Sequence, residues 1–381
     1  MPPVATASRP IDWWGAVRAC ASGRPIAEQR LRGALERTFG QAVVSLTDSG
    51  TSALRIAIAS SAPATIVAIP GFGCIDVAAA VQGAGCRAIP YDLDPASLAP
   101  NLESVEEALQ RGARVVVASH LFGLAIPMTD LAALCARYEA VLIEDAAQAF
   151  GANIDGAPIG QSGALTVLSF GRGKGIGGGG GGALLARSPA LGGADRGSEH
   201  APVEWRSEVR TLGVSMLASW LGAPAVYAIP SAVPQLRLGE MVYHRAEDPR
   251  PISIAAASFA EAGLERLGLG LPERARRAAR LQKAASRGSV CEPIEPLTGT
   301  TPGWLRAPMI WNGTGALPSA LGVYRAYPQA VSEQREIREC LLQATGELTG
   351  SHRLANRLVT LPVHHRVAER DLQALEQWLA D

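Results

Sequence analysis

Between residues 42 and 186, short apolar runs rich in branched residues alternate with stretches whose apolar positions recur at helical spacing. The runs Ala42–Leu46, Thr65–Ile69, Arg87–Tyr91, Val115–Ser119, Val141–Glu144, Leu165–Phe170 and Ala183–Ala186 are short enough, and bounded by enough turn residues, to be strands. Ser52–Ala59, Ile75–Gly83, Leu102–Gln110 and Met128–Tyr138 read as the helices between them. Upstream, Ile26–Phe39 places Ile26, Leu31, Leu35 and Phe39 on one helical face with charges between. Strands that are apolar without alternation are buried on both faces. The pattern therefore predicts an α/β fold with a mostly parallel sheet covered by helices.

After about residue 190 the alternation stops. Helices are expected at Ile254–Leu267 and Glu273–Arg287, then a Pro/Gly/Thr-rich stretch, Pro293–Gly315. A short strand-and-helix ending covers Ser332–Glu347, Leu358–Val363 and Ala368–Leu379. The expected division is a large α/β domain over residues 1–240 and a smaller α+β domain over 241–381. Thr211–Pro234 is strongly apolar, but Pro224, Pro230 and Pro234 interrupt it. It reads as a buried helical hairpin or an interface segment, not as a membrane span.

Lys+Arg 35 balances Asp+Glu 35, so no net field draws the chain to nucleic acid or to an anionic membrane. The six cysteines are scattered, without a Cys-x-x-Cys pair or a histidine cluster at metal spacing, which argues against a metal site and a disulfide framework. The N-terminus lacks the basic and then apolar layout of a signal peptide, and a cytoplasmic protein is expected. One count changes the picture. Only Lys174 and Lys283 are lysines, and every other basic side chain is arginine. A guanidinium stays protonated, whereas a lysine amine can be neutralised and made nucleophilic. Lys283 sits in an arginine-rich helix, where a surface role suffices. Lys174 sits in a glycine-lined run after a strand, where a surface role does not explain it.

Ligands of open α/β sheets lie at the carboxyl ends of the strands. Asp145 and Gln148 fall there after Val-Leu-Ile-Glu, His120 after Val-Val-Val-Ala-Ser, and Ser169 five residues before Lys174. The turn Ser49-Gly50-Thr51-Ser52-Ala53 joins a strand to a helix. Its small residues, helix N-terminus and hydroxyls suit a phosphate, although alone it is no more than an N-cap. A phosphate cradle, a strand-end carboxylate and a lone lysine together are what pyridoxal 5'-phosphate (PLP) requires.

These stretches resemble the PLP-dependent sugar aminotransferases of the DegT/DnrJ/StrS group, of the aspartate-aminotransferase fold (fold type I). The resemblance rests on Asp48-Ser-Gly-Thr-Ser-Ala-Leu54, Ile69-Pro-Gly-Phe-Gly-Cys74, Ser119-His-Leu-Phe-Gly123 and Glu144-Asp-Ala-Ala-Gln-Ala-Phe-Gly151. It continues in Gly156-Ala-Pro-Ile-Gly160, Leu168-Ser-Phe-Gly-Arg-Gly-Lys174 and Leu361-Pro-Val-His364. It implies that Lys174 is the Schiff-base lysine, Asp145 the partner of the pyridine nitrogen and Gln148 a neighbouring ring contact. Gly50, Thr51 and Ser169 would be phosphate ligands. Cys74, with Phe72 close by, matches a position over the ring face, where a contact and a small packing residue are equally good readings.

The resemblance further implies transamination from an amino-acid donor, often glutamate, to a keto sugar on a nucleotide carrier, in a homodimer with active sites at the interface. Two departures stand out. Gly177 to Gly182 are all glycine where many members carry Gly-Glu-Gly-Gly, and this run precedes a strand, which excludes a dinucleotide fingerprint. The family's Gly-Tyr-Asn-x-Arg segment, whose Asn reaches the partner's phosphate, is absent. Glu240–Pro251 stands in its place, with Tyr243, His244 or Arg250 as substitutes. A cyclitol ketone or a natural-product intermediate is therefore an alternative acceptor. A PLP lyase or dehydratase, whose family variants replace the lysine with His, and a non-catalytic scaffold fit less well with Lys174 and Asp145 both present.

Overall fold

The computed structural model describes residues 10–61, 65–171, 173–177, 179–187, 204–221 and 243–381. Two helices open the described chain, α1 (Pro10–Ser22) and α2 (Arg24–Phe39). Then come β1 (Ala42–Thr47), α3 (Gly50–Ser61), β2 (Ile66–Pro70), α4 (Ile75–Gly83), β3 (Arg87–Tyr91) and α5 (Leu102–Gln110). The alternation continues with β4 (Ala113–Ser119), α6 (Thr129–Arg137) and β5 (Val141–Asp145). A small hairpin of β6 (Asn153–Ile154) and β7 (Ala157–Pro158) precedes β8 (Leu165–Ser169) and β9 (Gly182–Ala186). Seven of these strands form one sheet in the order β1-β9-β8-β5-β4-β2-β3. The pairs from β8 through β5, β4 and β2 to β3 are parallel, and β9 alone runs against its neighbours.

The unbroken apolar runs are explained by cover on both faces. In β4, Val115 and Val117 join the cluster that holds Leu54 of α3 and Ala78 of α4. Val116 and Ala118 point the other way, into the cluster with Leu109 and Leu131. All four are fully buried, so a period of two is hidden by two apolar layers. Helix starts follow local chemistry. Asn101 caps α5 by accepting from the Ser104 N–H at 2.9 Å.

The chain beyond the sheet differs in detail from expectation. Helix α7 (Trp205–Leu221) contains the first part of the apolar stretch Thr211–Pro234, and the rest lies outside the described residues. Glu208 of α7 is buried and accepts from the N–H groups of Ile254 and Ala255, each at 2.9 Å, at the start of α8 (Ile254–Glu265). That contact places α7 on the protein body, and among the described residues no helix is long and apolar enough to cross a membrane. Helix α8 packs Ala256, Ala257 and Ala260 into one cluster with Leu31, Leu35 and Phe39 of α2. Helix α9 (Leu267–Ala285) starts earlier than the pattern predicts, running through Pro272.

An antiparallel sheet of β10 (Cys291–Pro293), β12 (Ala307–Trp311) and β13 (Leu358–Leu361) follows, and β11 (Thr300–Thr301) pairs with β6. Helices α10 (Thr349–Arg357) and α11 (Glu369–Ala380) complete the chain. Residues 332–347 hold only single turns of 3-10 helix. Their backbone is spent on the exposed edge of β3, where Leu342 N–H donates to Ala88 and Thr345 N–H to Pro90, at 2.7 and 3.1 Å. Covering an open strand edge takes precedence there over local helix preference.

Candidate cofactor site

Parallel pairing brings the carboxyl ends of β2, β4, β5 and β8 to one side of the sheet, and Ser119 of β4 stands in register with Asp145 of β5. The Asp145 carboxylate is oriented by its own surroundings. One oxygen accepts from the Ser119 hydroxyl at 3.0 Å and the other from the Ala147 N–H at 3.1 Å. One strand along, Ser169 ends β8, buried and opposite Gly182 of β9, and Gly182 is also opposite Thr47 of β1. Gly182 thus joins the two strand ends that carry the phosphate-type residues.

The close approach there requires glycine. A Cβ on Gly182 would lie 2.5 Å from the Ser49 carbonyl oxygen and 2.6 Å from the Gly50 nitrogen. A Cβ on Gly50 would lie 2.6 Å from Cβ and 3.0 Å from Oγ of Ser169. Ser49 takes the N–H groups of Ser52 and Ala53, each at 3.1 Å. Gly50 and Thr51 therefore head helix α3, where N–H groups have no intrahelical acceptor. Gly50→Ala is expected to cost about 1–3 kcal/mol of packing and to weaken phosphate-dependent cofactor affinity by roughly tenfold or more. Titration of the chain with PLP, followed by its visible absorption, checks this. Gly213→Ala is the control, because a Cβ there meets nothing within 4 Å.

Lys174 lies in the glycine-rich loop between β8 and β9, half-buried. Its N–H donates to the Gly171 carbonyl at 3.2 Å. Beyond it, Arg274 of α9 donates to the Gly175 carbonyl at 3.1 Å. Ile176 is buried with its carbonyl against Gly263 of α8, where any side chain would collide. The loop is thus pinned on both sides of the amine by helices from late in the chain, and the glycine run is not merely slack.

Cys74 is the residue before α4, and its environment is not that of a nucleophile. Burial, then Asp76, push its thiol up to about 12, with Lys174 opposing. Asp76 stands in the first turn of α4. The structure brings it into the electrostatic surroundings of Lys174, Cys74, His244 and Asp145. Tyr327 also escaped the sequence reading. Gln148 accepts from the Phe122 N–H at 3.2 Å and donates to the Tyr327 hydroxyl at 2.7 Å, so it ties the large sheet to the C-terminal segment. The Tyr327 ring lies 5.5 Å from Phe72 and 5.8 Å from Phe122. Its phenol is held well above the ordinary value by burial and by Cys74, Asp145 and Asp76 nearby.

His120 and His364 both make hydrogen bonds within the fold. His120 is buried, its Nδ1 accepting from the Ile126 N–H at 3.1 Å, which leaves Nε2–H to donate to Glu144 at 3.2 Å. Burial raises the Glu144 carboxyl, but His120 and the N–H groups of Gly163 and Ser162 outweigh it and hold the carboxyl below its usual value. His364, also buried, accepts at Nδ1 from Arg366 N–H and at its carbonyl from Arg277. The Ser119-to-Gly123 motif has a docking role, since the carbonyls of Phe122 and Gly123 accept from Leu305, Arg306 and Gly303.

The segment that replaces the expected Asn motif is tied to its own chain. Tyr243 donates to Gln82 at 2.7 Å, Asp248 meets Arg55 at 2.7 Å, and the Arg250 carbonyl accepts from Asp48 N–H at 2.9 Å. The Arg250 guanidinium meets Glu247 at 3.5 Å, and His244 is exposed.

Comparison with known proteins agrees with this geometry. The chain is 32% identical over 163 residues to L-glutamine:2-deoxy-scyllo-inosose aminotransferase of Micromonospora echinospora, covering 42% of this chain and 38% of that protein. It is also 32% identical over 144 residues to UDP-N-acetyl-3-dehydro-alpha-D-glucosamine 3-aminotransferase of Acidithiobacillus ferrooxidans, covering 37% and 39%. The matched stretch thus spans about two fifths of the length of these relatives. In fold, the chain superposes on a DegT DnrJ EryC1 StrS aminotransferase from Brucella abortus with TM-score 0.74 at 22% identity, covering 96% of this chain and 93% of that one. Residues 24–196, which carry Gly50, Thr51, Cys74, Asp145, Gln148, Ser169 and Lys174, match the model of the DegT/DnrJ/EryC1/StrS aminotransferase family.

Proposed function

We propose that this chain is a PLP-dependent aminotransferase that moves an amino group from an amino-acid donor, glutamate first among candidates, to a keto sugar or cyclitol. The observation that carries the reading is the placement, at the carboxyl ends of adjacent sheet strands, of the Gly50–Ser169 cradle and the oriented Asp145 carboxylate, with Lys174 in the loop that follows Ser169. The residues fit the cofactor. A phosphate suits a helix N-terminus with no room for side chains, a ring nitrogen suits a fixed carboxylate, and an aldehyde suits the only lysine near them. When bound, PLP supplies an electron sink for the bond broken at the donor's Cα.

The chain's own residues then have distinct tasks. Gly50, Thr51 and Ser169 hold the phosphate, and Asp145 holds the proton of the pyridine nitrogen. The Lys174 amine would hold the cofactor and, when free, would take the proton from the donor's Cα and return it. The Tyr327–Gln148 pair, with the Phe72 and Phe122 rings packed on Tyr327, would shield the side of the site next to Gln148 from water. The relatives' names support both acceptor classes, a cyclitol ketone in one and a nucleotide-linked keto sugar in the other. The absent Asn motif favours the cyclitol class, because a nucleotide carrier and the partner-supplied phosphate contact depend on that region. A homodimer with shared sites and a cytoplasmic setting belong to the same proposal; the six unpaired cysteines fit a reducing compartment.

Single-turnover assays test the reading. Glutamate or glutamine should discharge the visible band of the PLP-loaded protein, and a cyclitol ketone or a nucleotide-linked keto sugar should restore it. A band that no amino donor alters would overturn the aminotransferase assignment.

A further inference from the structure

We infer that Tyr327 is a further ligand-binding residue of this site: its hydroxyl and the Gln148 amide form a two-donor cradle for one oxygen of a bound small molecule. This rests on the reading of the site given above. Contacts from three strand ends fix the position of the phenol. Its ring packs on Phe72, two residues beyond β2, at 5.5 Å, and on Phe122, three residues beyond β4, at 5.8 Å. Its hydroxyl meets Gln148, three residues beyond β5, at 2.7 Å. The Val331 N–H, from the same segment, donates to the Gly71 carbonyl at 2.8 Å and holds that segment against the end of β2. Tyr327 thus stands at the carboxyl ends of β2, β4 and β5, where open α/β sheets take their ligands.

Donor and acceptor roles follow from one backbone group. The Phe122 N–H can only donate, so the Gln148 atom facing it at 3.2 Å is the amide oxygen. Phe122 is left-handed, at φ 57, a conformation that a phenylalanine keeps only where its surroundings enforce it. Here its carbonyl accepts from the N–H groups of Leu305 and Arg306, at 3.0 and 3.2 Å. The Gln148 NH₂ is thereby turned to Tyr327 and donates, so the phenol oxygen accepts. The phenol's own proton must point elsewhere, and no acceptor for it stands within reach among the described residues. The second hydrogen of the Gln148 NH₂ is equally unspent. Burial, with Cys74, Asp145 and Asp76 nearby, keeps the phenol protonated through the neutral range. Two unspent donors on atoms 2.7 Å apart suit one oxygen with two lone pairs, carbonyl or anionic. Such an oxygen is carried both by the pyridine ring of PLP and by a keto sugar or cyclitol.

The PLP-loaded protein and its Tyr327→Phe variant separate these two sources. The substitution keeps the ring on Phe72 and Phe122, so thermal unfolding should change little. Tyr327→Met, which also lacks the donor, serves if the phenylalanine variant does not fold. If the oxygen is the cofactor's, the pH midpoint of the visible band should rise by about 0.5 pH or more without any substrate, since a donor favours the unprotonated oxygen. If the oxygen is the acceptor's, that midpoint should stay. The acceptor concentration for half-maximal reloading should then rise about tenfold, with the amino-donor half-reaction unaltered. The same substitution in a Gln148→Leu background tells contact from positioning, because a direct bond from Tyr327 should still act there. An effect that vanishes in that background means that Tyr327 works only through Gln148, and overturns the proposal. So does a folded Tyr327→Phe protein with both readings unmoved. A chain that gains no visible band with PLP would instead overturn the reading of the site on which this rests.

Discussion

Replacing Lys174 by alanine should abolish covalent cofactor attachment and lower transamination by about 10⁴-fold or more, because one amine both anchors the cofactor and moves the proton. The measurement is clean in a chain with two lysines. Borohydride treatment of the PLP-loaded protein should fix the cofactor on the peptide containing Lys174 and leave Lys283 unmodified. Lys174→Arg should be as inactive as the alanine variant, since a guanidinium does not give up its proton at workable pH. The fold should survive both changes. Backbone contacts through Gly171, Gly175 and Ile176 hold the loop, not the amine. Cofactor recovered on Lys283, or on no lysine, would show that the site has been misread.

Asp145→Asn carries the second-largest expected effect, a fall of about 10²- to 10³-fold in single-turnover rate with little change in thermal stability. The amide is nearly isosteric. It can still accept from one of its two present donors, Ser119 or Ala147, and the serine hydroxyl can turn to accept from the new NH₂. What it lacks is the negative charge that keeps the ring nitrogen protonated while charge develops at Cα. A rate near that of the unaltered protein would exclude Asp145 from this role. Loss of the fold instead of the rate would show that its hydrogen bonds, not its charge, matter most.

Much of this site was legible in the chain alone. Strand and helix positions from Ala42 to Ala186 follow from apolar runs and their spacing, because in a sheet covered on both faces burial is a local property of each strand. Lys174 stood out by lysine scarcity, and Asp145, Ser169 and the Ser49-to-Ala53 turn by their place at strand ends. Residues whose role depends on distant partners were not legible. Tyr327 is an unremarked aromatic until the fold brings its hydroxyl to the Gln148 amide, which donates to it from far earlier in the chain.

Histidines illustrate the same limit from the other side. The sequence places His120 at a strand end, where a ligand contact and a structural role are equally good, and only the fold shows its two nitrogens spent on Ile126 and Glu144. Residues 332–347 form single turns because the open edge of β3 needs its backbone groups satisfied, and no local preference records that need. Local propensity and burial pattern are properties of neighbouring residues, so the sequence by itself determined the sheet, its helices and which polar residues stand at the strand ends. Which helix meets which strand end depends on pairing across more than a hundred residues. The tertiary structure alone therefore decided what pins the lysine loop, Arg274 on the Gly175 carbonyl and Gly263 against Ile176, and that Gln148 meets Tyr327.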